Sequence, residues 1–230
     1  MMKAQKRKWL AGLCLLFVIG MTAVGRDLAV QARVYTVPCV LIDPGHGGFD
    51  PGAIGSETKV EEKQINLAIS KLLKAELEQR GYRVMMTREE DIELADSKRA
   101  DLEQRRKMIQ NSGADLVLSI HQNSNPDRTA YAPMVLYYAQ SSEGQRIAEI
   151  VLEKLNQAVK PARPRKTTAD SSMFILKSGE MPILIVECGF LSYSKEEKML
   201  QEKAGQQAIA KAIAEAVCQA LPITGGAAQP

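Results

Sequence analysis

Two histidines occur in the 230-residue chain, His46 and His121, and each closes an apolar run: VLIDPGH and LVLSIH. A third run of the same kind, ILIVE, closes on Glu187. Short runs rich in Val, Ile and Leu read as strands buried on both faces. In an open α/β sheet, ligands bind in the crevice beyond the carboxyl ends of such strands. If the three runs lie parallel, His46, His121 and Glu187 meet there. Two neutral imidazoles and one carboxylate form a three-donor zinc set with a fourth position left for water. Hydrolysis then needs one more carboxylate, off the metal, to move protons. The acids on hand are Glu187 and, after the first loop, Glu57, Glu61 and Glu62. The residues alone leave open which is ligand and which is base.

Competing chemistries leave weaker traces. A strand-end histidine can be a structural hydrogen-bonder, and a Gly-rich loop after a strand can cradle phosphate. However, neither GxGxxG nor GxxxxGK[ST] occurs, which argues against a nucleotide site. In the segment Asp43-Pro44-Gly45-His46-Gly47-Gly48 the glycines permit a sharp turn and close approach of a substrate. Pro44 disfavours a helical Asp43 and so helps to end the strand. Ser119 and Cys188 are expected to point away from the face that carries the candidate ligands, which removes them as nucleophiles.

The elements that must position these groups alternate. Strands are expected over 40–43, 83–87, 116–121, 134–139, 173–176 and 183–187, and helices over 62–80, 97–111, 143–159 and 205–221. The helical ranges carry apolar residues at 3.6-residue spacing, as in Ile65, Ile69, Leu72, Leu73 and Leu77. Alternation of this kind predicts a single-domain α/β fold, a sheet of about six strands with helices on both faces. The two strands after His121 lack a helical connection, so the sheet is expected to be mixed.

A composition of 45% hydrophobic and 25% charged residues excludes a wholly disordered or collagenous chain. The net charge of +3 is local in origin. Lys3, Lys6, Arg7 and Lys8 precede a 16-residue uncharged stretch, residues 9–24. Removing those four from the 30 basic residues leaves 26 against 27 acidic ones, so the body lacks the electrostatic footprint of a nucleic-acid binder. The uncharged stretch suits a signal-peptide core and is short for a membrane span. Residues 1–33 are therefore expected to form a signal peptide or N-terminal membrane anchor with a short linker, 34–222 the catalytic domain, and 223–230 a flexible tail. Export or tethering at the membrane follows from that leader. Outside it, Cys39, Cys188 and Cys218 are odd in number and have no CxxC spacing, which argues against a disulfide framework or a cysteine zinc site.

Four segments, in order, carry a resemblance: VLIDPGHGGFDPGAIG, EKQINLAISKLLKAELEQRGYRVMMTREED, GADLVLSIHQNS and MPILIVECGFLS. They resemble the zinc-dependent N-acetylmuramoyl-L-alanine amidases of the amidase-3 family over about residues 40–220. The resemblance implies a twisted mixed sheet, one zinc ion on His46, Glu62 and His121, and Glu187 as the catalytic carboxylate. Glu62 is preferred to Glu61 because the family motif Glu-Lys-x-x-Asn-Leu falls on Glu62-Lys63-Gln64-Ile65-Asn66-Leu67. It also implies the scissile bond, the amide between the lactyl group of N-acetylmuramic acid and L-alanine in peptidoglycan. Two positions depart from the usual pattern: Gln122, where the family often has Ala, and Tyr193, where Asn is common.

The stretch TREEDIELADSKRADLEQRRKMIQNSGADLVLSIHQNSNP is similar to that of the small spore-cortex amidases of endospore formers. That subgroup implies cortex maturation through muramic δ-lactam, a role in germination, action between the forespore membranes and, for some members, a lipoprotein partner. The alternatives are a vegetative wall amidase, another zinc wall-peptide hydrolase such as a carboxypeptidase, a polysaccharide deacetylase, and a non-enzymatic wall-binding protein. Among the arginines before the second histidine, Arg99, Arg105 and Arg106, a solvated charged face is the expectation, with contact to peptide carboxylates as the alternative. A helix that plugs the site does not fit within 122–133 or 160–172.

Overall fold

The computed structural model describes residues 37–223; the leader and tail expectations fall on residues outside that range, apart from Ile223, which packs at the edge of the core. Six strands form one sheet: β1 (Cys39–Pro44), β2 (Arg83–Met86), β3 (Leu116–Asn123), β4 (Met134–Tyr138), β5 (Thr168–Asp170) and β6 (Ile183–Phe190). Their order is β2-β1-β3-β6-β4-β5. The first four in that order run parallel, and β4 is antiparallel to β6 and parallel to β5. The sheet is thus mixed: the chain reverses direction between β3 and β4, which have no helix between them, and again between β5 and β6, so the antiparallel neighbours are β6 and β4. The three runs that close on His46, His121 and Glu187 are neighbours, β1-β3-β6, and all point the same way.

The apolar runs are continuous because both faces of the sheet are covered. Val40, Ile42, Leu118, Ile120 and Val186 pack on one side against α1 (Glu62–Gln79), α3 (Ser142–Val159) and α5 (Lys203–Ala220). The alternate residues Cys39, Leu41, Val117 and Ile185 pack on the other side with Ile109 of α2 (Lys98–Asn111) and with Ile175 and Leu176. Cys39 and Cys188 are buried free thiols. Each large aliphatic residue at these positions contributes on the order of 2–5 kcal/mol when judged by truncation to Ala.

Helix boundaries follow local chemistry. Ser97 caps α2 by accepting from Ala100 N, and Ser141 caps α3 by accepting from Gly144 N. Glu61 makes no side-chain cap for α1. The first turn is instead fastened by the loop before it, with Glu62 N donating to Ala53 O and Lys63 N to Pro51 O. The metal-candidate Glu62 therefore starts a helix whose entry is set by the loop that follows His46.

Two elements differ from expectation. Residues 173–176 are not a strand: Ile175–Lys177 form a 3-10 turn, and the edge strand is β5, three residues earlier. Asp170 Oδ1 accepts from Ser172 N and Met173 N, which turns the chain out of the sheet before the apolar run begins. Ile175 and Leu176 are then both buried in succession, as a turn allows and a strand's alternation does not. A short helix, α4 (Ser194–Gln201), was not expected. Its buried face is Glu196, Glu197 and Leu200, so it has almost no apolar period to read. Neither 124–133 nor 160–167 contains a helix.

Candidate metal and active site

The loop after β1, the first turn of α1 and the end of β3 bring three donors together. His46 Nε2 lies 3.1 Å from Glu62 Oε2, and His121 Nδ1 lies 3.0 Å from Glu62 Oε1. One donor atom from each residue falls within 4.8 Å of the others. With bonds of roughly 2.1 Å, a tetrahedral ion spaces its donors about 3.4 Å apart, so the cluster has the dimensions and the donor types of a zinc-like site. The rings of His46 and His121 stand nearly perpendicular, with centroids 5.0 Å apart. His46 Nδ1 donates to Asp50 Oδ2 at 2.8 Å, which leaves the Nε2 lone pair facing the cluster. Asp50 in turn holds Lys98 at 2.6 Å. Burial works against the charge of Asp50, but the hydrogen bonds from His46 and Lys98 bring its carboxyl down to about 2.

Glu62 is buried and would be raised by desolvation, yet the hydrogen bonds and charges of His121 and His46 hold it well below the usual carboxylate range. Burial lowers the His121 imidazole, and the hydrogen bond and charge of Glu62 more than offset this, raising it. A dication entering the cluster would displace that proton.

The loop that presents His46 is strained and tightly held. His46 has a left-handed φ of 61°, a conformation that costs a non-glycine residue about 1 kcal/mol or more. Arg105 Nη2 donates to His46 O at 2.6 Å, and Arg105 Nη1 to Pro44 O at 2.8 Å. Arg88 donates to Pro44 O and Gly45 O at 3.0 and 2.9 Å and also reaches Lys63 O at 3.0 Å. The two guanidiniums thus grip three successive carbonyls. Gly45 must be glycine, because a Cβ there would lie 2.2 Å from His121 Cε1.

Glu187 is the Cα partner of His121 across β3-β6. The cavity it lines with His121 is walled by Leu102, Met173, Phe174 and Ile175. The cavity beside His46 shares Leu102, His121 and Ile175, so the two form one cleft over the donor cluster. Arg106 stacks over the Phe174 ring at 5.3 Å, bracing that wall. Glu187 Oε2 is buried without a hydrogen-bond partner among the described residues. Burial, aided by the Glu62 charge and opposed by His121 and His46, raises its carboxyl to about 7. A carboxyl of that kind beside a donor cluster can take and return a proton near neutral pH.

A family model described as N-acetylmuramoyl-L-alanine amidase matches residues 40–219, nearly all of the described chain. The chain belongs to the amidase-3 family. It is an N-acetylmuramoyl-L-alanine amidase, acting on peptidoglycan. The amidase is 31% identical over 182 residues to the germination-specific N-acetylmuramoyl-L-alanine amidase of Bacillus subtilis (strain 168), covering 76% of each chain. Among solved structures it is similar to the CwlD amidase of Clostridioides difficile in complex with the GerS lipoprotein, at a TM-score of 0.76 and 31% identity, covering 80% of this chain and 98% of that one. The catalytic domain of CwlV from Bacillus (Paenibacillus) polymyxa var. colistinus matches at a TM-score of 0.74 and 28% identity, covering 82% and 100%.

In the amidase, the other acids of the first loop lie elsewhere. Glu61 pairs with Lys63, and Glu57 offers its backbone N–H to Glu197. Ser119 corrects an expectation: two residues before His121, it shares the His121 face, lines the same cavity and donates to Asp43 Oδ2 at 2.7 Å. Cys188 does lie on the opposite face, in the larger core. Arg105 is no solvated residue; it is 3% exposed beneath the His46 loop. Asn125 closes a turn with its own side chain, accepting from Asp127 N, and Asn123 at the end of β3 accepts from the adjacent Ser124 N. Asp50, Arg88 and Asn66 were not singled out from the sequence: Arg88 and Asn66 act on carbonyls and side chains distant in the chain, and Asp50, four residues from His46, is brought to it only by the turn of the loop.

Proposed function

We propose that the amidase is a zinc hydrolase in which His46, Glu62 and His121 hold the ion and Glu187 is the catalytic base and acid. The observation that carries this reading is the convergence of the three donors beside a buried, unpartnered carboxyl in one cleft. When bound there, zinc supplies Lewis acidity at a water and at the scissile carbonyl. Glu187 takes the proton from the attacking water and delivers it to the leaving alanine nitrogen. Asp50 orients His46, and the Leu102–Ile175 wall limits water around Glu187. The bond cut is the amide between the lactyl carboxyl of N-acetylmuramic acid and L-alanine.

The test is release of free L-alanine amino termini from purified peptidoglycan. Zinc-supported release that a chelator abolishes is the expected result. New termini elsewhere in the peptide would mean a carboxypeptidase or related specificity, and acetate release a deacetylase.

The likeness to a germination-specific amidase and to a lipoprotein-bound amidase supports a spore-cortex role, with peptide removal preparing muramic δ-lactam, and a lipoprotein partner. Residues 1–33 would export the chain or anchor it at the membrane, with 34–222 as its catalytic domain. No helix among the described residues is long and apolar enough to cross a membrane. Deletion in a spore-forming source should remove δ-lactam from the cortex; an unchanged cortex would favour a vegetative wall role.

A further inference from the structure

Asn66 on α1 is completely buried, and its amide touches all three segments that carry a metal donor. Its Nδ2 donates to Gly45 O, next to His46, at 3.1 Å, and to Glu62 Oε1 at 3.0 Å. Both partners can only accept, so the amide has one orientation and Asn66 Oδ1 must itself find a donor. It accepts from Gln122 Nε2 at 3.2 Å, and Gln122 directly follows His121. The backbone N–H of Gln122 donates to Glu62 Oε1 at 3.0 Å, and Ala53 N donates to Glu62 Oε2 at 2.8 Å. Glu62 is thus held by groups that owe nothing to a metal, and Gln122 closes the chain of contacts from β3 back to α1.

We propose that Gln122 is a positioning residue for the metal centre: through Asn66 it locks α1 to β3, so that Glu62 and His121 stand at coordinating distance before an ion arrives. This deepens the zinc reading above and rests on it. Pre-built geometry lowers the ordering cost of binding, so its loss appears as weaker metal affinity. Gln122 itself is buried, with 2% of its surface exposed. Its Oε1 is buried without a hydrogen-bond partner among the described residues, so its removal also relieves an unpaired acceptor.

The experiment measures the zinc dissociation constant of the whole chain by competition with a chelating dye, in wild type, Gln122→Ala and Gln122→Leu. The leucine variant keeps volume and removes the amide, separating hydrogen bonding from packing. Thermal unfolding of the metal-free proteins is recorded alongside. Both variants are expected to bind zinc about 10–100-fold more weakly, to stay folded with a modestly and equally lowered metal-free Tm because Asn66 Oδ1 loses its donor, and to regain turnover at saturating zinc. Wild-type affinity in Gln122→Leu would overturn the proposal. So would loss of the fold in both variants, which would make the pair merely structural. A wild type that binds no zinc would instead bring down the metal reading, and this inference with it.

Discussion

Asp43 and Arg105 meet at 2.7 Å beneath the cleft, one at the end of β1 and the other on α2, with side chains only 1% and 3% exposed. Asp43 also accepts from Thr87 Oγ1 and Ser119 Oγ, each at 2.7 Å, and Arg105 reaches Asp101 at 2.6 Å. The pair ties β1, β2, β3 and α2 together directly under the carbonyl of His46. Removing one partner of a buried pair strands the other and costs about 3–5 kcal/mol, so Asp43→Asn should lower Tm markedly at neutral pH.

The same pair predicts a pH dependence. Burial favours the neutral acid, but Arg105 and the hydroxyls of Thr87 and Ser119 prevail, and the folded carboxyl lies below its ordinary 3.8. A depressed carboxyl contributes stability above the unfolded value and loses it as pH falls through the folded one. The Tm gap between wild type and Asp43→Asn should therefore be constant above about pH 5 and close as pH drops below the ordinary carboxyl range. A gap that stays constant down to pH 2.5 would rule out this linkage.

Glu187→Gln should retain one zinc per chain and lose about 10²–10⁴ in turnover, because proton transfer is removed while the donors stay. Metal content and kcat measured on the same preparation decide this. Full turnover would remove Glu187 from its role.

Zinc should raise the Tm of the wild type, by an amount equivalent to about 2.7 kcal/mol at a hundredfold excess over Kd. His46→Ala and His121→Ala should show no such rise and carry no zinc after gel filtration. Gly45→Ala should behave like the histidine variants although it removes no donor, since the added methyl would occupy the position of the His121 ring. A zinc-replete Gly45→Ala would contradict the close approach of loop and ring.

Glu197 on α4 accepts from Ser56 Oγ, Glu57 N, Thr58 N and Thr58 Oγ1, at 2.7–3.0 Å, and so anchors the loop that leads into Glu62. Glu197→Ala leaves those half-buried and exposed donors to water, at a cost of about 0.5–1.5 kcal/mol per hydrogen bond at most. Faster amide exchange confined mainly to residues 55–60, with a reduced kcat/KM, is the expected pattern. Unchanged exchange there would show that the loop holds itself.

The sheet and its main helices were legible in the sequence because both periodicities act locally: buried-strand runs ended on His and Glu, and the helices carried apolar stripes. The positions of His46 and His121 at strand ends followed from the same runs, whereas the adjacency of those strands came from the sheet order. The residues did not choose among Glu57, Glu61, Glu62 and Glu187; family motifs pointed to Glu62, and the tertiary structure puts Glu62 between the two imidazoles because α1 starts where the Gly52–Ala53 turn folds back. The helix of Glu196 and Glu197 was invisible because its inward face is made of carboxylates that hold loop N–H groups. Arg105 read as a solvated charge because sequence shows charge but not the buried carboxylate, 62 residues away, that offsets its burial. What the sequence determined by itself was five of the six strands, the four long helices and the candidate donors. Which polar side chains turn inward was decided only in three dimensions, since a buried polar group is tolerable only beside its partner, and those partners come from distant parts of the chain.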